Sequence, residues 1–286
     1  WEYRIKKDKG LDIVTSPPIV VYRETVAKGS PVVEGKSPNK HNKFYLKLEP
    51  LEDSVYAAIK AGDVPEIRMK KRKDVIVEAL VKAGMDRDAA KRVRSIKGGN
   101  ILLDDSRGIV HIGEVIDMVC ESFEEVCSGG PLAREPAIKL KVSLTDLKLH
   151  EDSIHRGPAQ VIPAMRRAIH NAMLFGDAVL YEPLQTIQID APLDYFGNVS
   201  KLVQNRRGQL ISTEQEGDHL TVRAKLPVAE MFGFMSALRS ATEGRGSQSL
   251  IDQEFAKLPT NLQNDTILGI RKRKGMKAEV PHPQEE

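Results

Sequence analysis

The run Ile138-Lys139-Leu140-Lys141-Val142-Ser143-Leu144-Thr145, followed by Asp152-Ser153-Ile154-His155-Arg156-Gly157-Pro158-Ala159-Gln160, decides how this chain folds. In the first segment apolar residues alternate with polar ones, the period of a strand with one buried and one wet face. Beyond the second, Ile162, Met165, Ile169, Ala172 and Met173 recur at helical spacing, while Arg166, Arg167, His170 and Asn171 take the opposite side. Pro163 is expected in the first helical turn, where its missing N–H costs no bond. A strand and a helix anchored by burial leave their connection to run over the surface. His155 is therefore expected to be presented to solvent, with Asp152, Arg156 and Gly157 beside it.

A second rhythm begins at Leu184. The pattern predicts strand Leu184 to Ile189, helix Leu193 to Asn205, strands Gln209 to Thr213 and His219 to Leu226, helix Ala229 to Ala241, and strand Ser247 to Phe255. That β-α-β-β-α-β order is the ferredoxin-like split unit, with Gly217-Asp218 as the hairpin turn and Gly208 ending the first helix. Upstream of His155, Val20-Val21-Tyr22 and Phe44 to Leu48 read as strands around a loop from Ser37 to Asn42. The middle is expected to be helical. Val75, Ala79, Leu80 and Ala83 mark one helix ended by Gly84, Asp86 caps the next, and Ile112 to Cys127 form a longer one. The fold class is α+β.

At 286 residues the chain is long enough for about two domains. Hydrophobic residues at 41% and charged residues at 29% permit a real core. No apolar run reaches the ~20 residues that cross a bilayer and no signal-peptide pattern opens the chain, so a cytoplasmic protein without membrane contact is expected. Cys120 and Cys127 on one helix are separated by roughly 10 Å at ~1.5 Å per residue, beyond the reach of a disulfide. They read as packing residues.

A net charge of +3 proves no polyanionic partner, but cations cluster at Arg68 and Lys70 to Lys73, at Lys91, Arg92 and Arg94, and at Arg271 to Lys274. Such clusters are either solvated helix faces or phosphate contacts. Trp1, Tyr22 and Tyr45 are too few to make base stacking the main signal. Gly35-Lys36-Ser37, with Gly29 upstream, imitates the end of a phosphate-binding loop. Five residues separate the glycines where the motif has four, and Pro38 stands where a helix must begin. Asp152, Ser153 and His155 supply the residue types of a hydrolase triad, but one short loop rarely reaches the required geometry. His41, His111, His150, His170, His219 and His282 show no i, i+4 pair on a helix, so each reads as an ordinary histidine and no metal site is expected.

Ile154-His155-Arg156-Gly157 with Gln160, Ile162-Pro163 and Arg166-Arg167 closely resembles the modified-histidine loop of archaeal and eukaryotic translation elongation factor 2. Tyr22-Arg23-Glu24-Thr25-Val26, Ser37-Pro38-Asn39-Lys40-His41-Asn42-Lys43, Asn205-Arg206-Arg207-Gly208, Phe232-Gly233-Phe234 with Leu238-Arg239-Ser240, and Arg271-Lys272-Arg273-Lys274-Gly275 occur in the family's order. Pro158-Ala159 stand where eukaryotic members have glycines, which resembles archaeal members. The resemblance covers the whole chain and implies a C-terminal fragment of the factor. Residues 1–17 would be the remnant of a third domain, with Trp1 to Lys9 ending a helix and Leu11 to Val14 a strand. Residues 18–182 and 258–286 would form a ribosomal-protein-like fourth domain, and residues 183–257 an inserted ferredoxin-like fifth domain.

In that family the histidine matching His155 becomes diphthamide, and ADP-ribosylating toxins attack the product. The resemblance implies a tip built from Asn39, Lys40, His41 and Asn42 with Asp152, His155, Arg156 and Gly157, which enters the ribosomal decoding site during translocation. Arg156 would supply a positive charge for RNA and Gly157 backbone room. The implied partners are the ribosome (ribosomal RNA, decoding site, tRNA and mRNA), the diphthamide-synthesis enzymes and the toxins, with the chain a monomer. No catalytic residue and no cofactor are expected here, because GTP and magnesium belong to an N-terminal domain outside this sequence. The competing reading is a stand-alone ribosome- or RNA-binding module derived from the factor. A start at Trp1 rather than methionine speaks against it.

Overall fold

The computed structural model describes residues 19–69, 73–106 and 112–284. Expectations for Trp1 to Lys9, Leu11 to Val14, Lys70 to Arg72 and His111 lie outside the described residues. Contacts divide the chain into two units, one containing residues 22–184 and 254–286, the other built on residues 185–253.

The first unit contains β1 (Arg23–Val26), β2 (Val33–Lys36), β3 (Lys43–Pro50), β4 (Ile67–Arg68), β5 (Val93–Lys97), β6 (Asn100–Asp104) and β7 (Leu140–Lys148). Its helices are α1 (Asp53–Ala61), α2 (Asp74–Lys82), α3 (Arg87–Lys91), α4 (Ile112–Ser128) and α5 (Pro158–Phe175). Six strands form one sheet in the order β2-β3-β7-β6-β5-β4, antiparallel throughout except for β6 with β7. A parallel pair requires a long crossover, and α4 lies within it. On β3, Phe44, Leu46 and Leu48 are wholly buried between half-exposed polar neighbours. With Leu140, Val142 and Leu144 they meet Val115, Val119 and Phe123 of α4 and Val161, Met165 and Ala168 of α5. Burying each large side chain is worth about 1.5–3 kcal/mol. This layer fixes the sheet end from which the loops at residues 37–42 and 149–157 spring. A second core under α1 and α2 gathers Val55, Ile59, Ile76, Val77, Leu80, Ile96 and Ile101.

The middle of this unit is not all helix. It holds the β5–β6 hairpin, whose two-residue Gly98-Gly99 loop has φ of 60° and 76°, a turn that glycine makes at least cost. Asn100, Ile101, Leu102 and Leu103 are all buried, so β6 carries no alternation to read. Helix α2 stops before Gly84, but it buries Ile76, Val77 and Leu80 and leaves Val75 81% exposed. Asp86 caps α3 by accepting from the Asp88 and Ala89 N–H groups. Strand β1 starts at Arg23, after the Val20 to Tyr22 segment. The β7 alternation shifts after Leu144, because a bulge at Tyr45/Leu46 leaves Thr145 out of register and brings Leu147 inward. Helix α5 begins at Pro158, with Gly157 as its cap, so Pro163 lies inside it rather than in its first turn. The carbonyl of Ala159 loses its helical donor, and Ala159 is exposed, which lets water replace it.

The second unit continues β8 (Ala178–Pro192) past Leu184 into α6 (Phe196–Asn205), β9 (Gln209–Glu216), β10 (His219–Pro227), α7 (Phe234–Ala241) and β11 (Ser247–Lys257). β8 pairs with both β10 and β11, and β10 with β9, giving the order β11-β8-β10-β9 of a ferredoxin-like βαββαβ unit. Ile187, Ile189, Val199, Val203, Leu220, Val222, Phe234 and Leu238 close its core. Both helices start later than their apolar pattern, because Leu193–Tyr195 and Val228–Glu230 form single 3-10 turns and Gly233, at φ 71°, breaks the path into α7. The first unit is completed by α8 (Thr260–Arg273), where buried Gln263 bonds the Leu180 N–H and carbonyl and the Leu258 carbonyl. The whole is an α+β fold with two sheets among the described residues. No helix among them is long and apolar enough to cross a membrane.

Candidate functional site

Strand β3 pairs with β2 on one side and β7 on the other, with Lys43 opposite both Lys36 and Lys148. The loops at residues 37–42 and 149–157 therefore leave the same end of the sheet. Asn42, with no exposed surface, joins them: its Nδ2 donates to the His155 carbonyl at 2.8 Å, and its Oδ1 accepts from the His150 N–H at 3.0 Å. Asn39 Nδ2 donates to the same carbonyl at 3.2 Å, and the Asn39 N–H donates to Gln160 Oε1 at 2.9 Å. Lys40 holds the left-handed position of the turn, at φ 63°, and is exposed.

Asp152 caps a short 3-10 turn, Ser153–His155, by accepting from the Ile154 N–H at 3.1 Å. Its own N–H donates to His150 Nδ1 at 3.1 Å, which leaves the proton of a neutral His150 on Nε2. The Asp152 carboxylate is thus occupied by backbone and orients no imidazole, so no triad forms with Ser153 and His155. Instead three imidazoles gather. The ring centroids of His41 and His150 are 5.0 Å apart, those of His41 and His155 5.0 Å, and those of His150 and His155 4.5 Å. His150 is therefore no ordinary histidine but a neighbour of His155, brought there by the Asn42 bond to its backbone. Ile154, 77% exposed, displays an apolar side chain at the same place. No group of three or more His, Cys, Asp or Glu residues among those described is arranged to hold a metal ion.

Arg156 is not the surface cation expected. Its side chain is 4% exposed, with Nη1 donating to the carbonyls of His150 at 2.6 Å and Glu151 at 2.9 Å, and Nη2 to Glu114 at 2.6 Å. The tight turn drops the side chain beneath the loop, where the two Nη nitrogens divide the work, one serving two carbonyls and the other a carboxylate. Asn42 is likewise internal. Both shape the tip without offering it a contact surface, whereas Asn39, Lys40, His41, Asp152 and His155 retain exposure. Gly157 has an ordinary φ of −70°, and a Cβ there would face open space. The backbone there does not demand glycine.

Among the described residues, six members of the basic clusters expected to meet RNA are engaged within the fold. Arg68 pairs with Glu124 at 2.7 Å, Lys91 with Asp88 at 2.9 Å, Arg92 with Asp105 at 2.8 Å and Arg94 with Asp104 at 2.9 Å. Buried Arg271 donates to the Leu132 carbonyl at 2.6 Å, and Lys274 pairs with Glu135 at 2.6 Å. Tyr22 is buried and offers no stacking face. Gly35-Lys36-Ser37 ends β2 instead of opening a helix, and Gly35 serves close packing on α5. Cys120 and Cys127 are free and buried, and burial pushes the Cys120 thiol up to about 12 and the Cys127 thiol upward too, so neither is a nucleophile.

Residues 65–177 match the family described as elongation factor G, domain IV, and residues 179–266 that described as elongation factor G C-terminus. The elongation factor 2 of Methanoregula boonei is 51% identical over 282 residues, which cover 99% of this chain and 38% of that protein. The elongation factor 2 of Methanocaldococcus jannaschii is 50% identical over 277 residues, 96% of this chain and 38% of that protein. That of Pyrococcus furiosus is 48% identical over 279 residues, 98% of this chain and again 38% of the relative. The chain thus spans 38% of the length of these relatives. With both halves of the chain matched in order and archaeal relatives at this identity, the chain belongs to the elongation factor G and elongation factor 2 family and corresponds to the C-terminal part of an archaeal elongation factor 2.

Proposed function

We propose that this chain is the part of a translation elongation factor that reaches into the ribosome. Its tip, Asn39 to Asn42 with Asp152 to Gly157, enters the decoding site during GTP-driven translocation of tRNA and mRNA. The observation that carries this reading is the His155 loop. Two side-chain amides from another loop grip the His155 carbonyl, while His155 itself stays only half-buried beside His41 and His150. A loop already ordered loses less entropy on docking than a free one. The relatives' name supports a ribosomal partner, and GTP hydrolysis is assigned to the remainder of the longer factor.

His155 is the residue proposed to become diphthamide. It is half-buried next to the exposed Ile154, and the open space at Gly157 supports access for modifying enzymes and NAD-dependent ADP-ribosylating toxins. The test uses the chain purified from an archaeal host and treated with such a toxin and NAD. A mass gain confined to the peptide carrying His155, and lost in His155→Ala, is expected. Equal labelling of the alanine variant would sink the assignment.

A further inference from the structure

We propose that the groove between the end of α4 and the outer face of α5 binds the phosphodiester backbone of RNA, at a surface separate from the His155 tip. It rests on the reading of the chain as a ribosome-binding part and adds a second contact to it. The groove, of 730 Å³, is lined by Glu125 and Ser128 of α4, Arg134 from the following turn, and Arg166, Arg167 and His170 of α5. Three guanidiniums there face one carboxylate. Arg166 pairs with Glu125 at 3.2 Å, whereas Arg167 donates only to the Lys36 carbonyl at 3.2 Å, and Arg134 has no ion-pair partner among the described residues. Two cations are left without a carboxylate among the described residues.

His170 senses the same field. Its Nε2 donates to the Gly129 carbonyl at 3.0 Å, and burial, with Arg166 and Arg134 nearby, lowers its pKa below the usual histidine value. The ring stays neutral, with Nδ1 as an acceptor. Arg134 holds a left-handed backbone at φ 51°, and Lys274 Nζ grips its carbonyl at 2.8 Å, so the fold fixes the segment that carries this guanidinium. Guanidinium forks match paired phosphate oxygens, while no apolar side chain lines the groove to anchor a protein. The carbonyl end of α4 also favours cations, so the test must separate binding from stability.

Fluorescence anisotropy of an end-labelled RNA hairpin, titrated with the whole chain over a salt series, provides that test. Each lost phosphate contact removes ~0.7–0.9 from the slope of log K against log salt. Arg134→Gln/Arg167→Gln is expected to flatten the slope by about 1.5 and weaken binding on the order of tenfold near 0.15 M salt. Arg134→Lys/Arg167→Lys should keep the slope. Should the glutamine pair fail to fold, Ser128→Lys adds a cation at the rim and should steepen the slope by ~0.7–0.9. An unchanged slope in a folded glutamine variant, or in Ser128→Lys, overturns the groove assignment. Displacement of RNA by poly-glutamate at matched charge would point to an acidic protein and overturn it too. Toxin labelling of His155 is scored in parallel. Labelling retained with an unchanged slope defeats the groove alone, whereas absent labelling with a flattened slope defeats only the diphthamide reading.

Discussion

Asn42 Nδ2 lies 2.8 Å from the carbonyl oxygen of His155, a bond across 113 residues of chain. It makes the shape of the histidine loop depend on a hairpin from another part of the sequence. In Asn42→Ala, the His155 carbonyl keeps Asn39, but the His150 N–H loses its acceptor. We expect a loss of about 1–3 kcal/mol and faster hydrogen exchange at residues 150–156, with the sheet unaffected. Asn42→Asp should cost more, because it sets a carboxylate against a carbonyl. Urea unfolding and exchange mass spectrometry measure both. Unaltered exchange in the loop would mean that it stands without the hairpin.

Burial of Arg156 separates support from contact. Arg156→Lys keeps the charge but not the fork, and one nitrogen on a shorter stem replaces the two that serve the His150 and Glu151 carbonyls and Glu114, so at least one of those three partners loses its donor. Thermal stability should fall by about 1–3 kcal/mol, while the salt slope of RNA binding stays that of the wild type. Lys40→Gln should do the reverse, since Lys40 is exposed in the turn. A flattened slope in the Arg156 variant would return that residue to the contact surface.

The period of β7 and α5 and the element order after Leu184 were open to reading because each rests on local apolar spacing. The hairpin at Gly217-Asp218 and the packing role of Cys120 and Cys127 were readable for the same reason. What sequence spacing hides is burial decided by distant partners. Arg156 goes inward because the carbonyls of His150 and Glu151 and the carboxylate of Glu114 await it, and nothing near residue 156 announces Glu114. His41, His150 and His155 come from separate segments, so no spacing rule finds their triangle. Strand β6 was missed because four consecutive buried residues carry no period.

Gly35 is held by packing. A Cβ there would lie 2.6 Å from Ala168 Cβ and 2.9 Å from the Ala164 carbonyl oxygen, neither of which can swing aside. Gly35→Ala should cost about 1–3 kcal/mol and pull the Ser37 to Asn42 loop off its bonds to His155. Ala168→Gly alone costs about 1 kcal/mol as a helix glycine. The double variant should be less destabilised than the two losses added together, because one methyl makes room for the other. Strict additivity in thermal melts would show that β2 and α5 do not press on each other here.

Glu24 supplies the pH dependence. Its carboxyl group has no exposed surface and accepts from the N–H groups of Leu132 at 2.7 Å, Ala133 at 2.8 Å and Glu135 at 3.0 Å. The three donors pull its pKa down, but burial outweighs them and pushes it up to about 7, against 4.5 for a free side chain. Between those values the folded chain binds a proton that the unfolded chain has released. This group's contribution to stability is therefore fully present below about pH 4.5 and lost as pH rises to about 7. The interval corresponds to about 3 kcal/mol. Glu24→Gln cannot ionise and keeps a carbonyl acceptor, so it should remove most of that slope. It also turns an NH2 toward one of the three N–H groups, which costs about 1–3 kcal/mol at pH 5. Urea midpoints at pH 5 and pH 7.5 should drop less in the variant than in the wild type. Equal drops in both would mean that the three N–H donors keep Glu24 ionised throughout and that burial does not win.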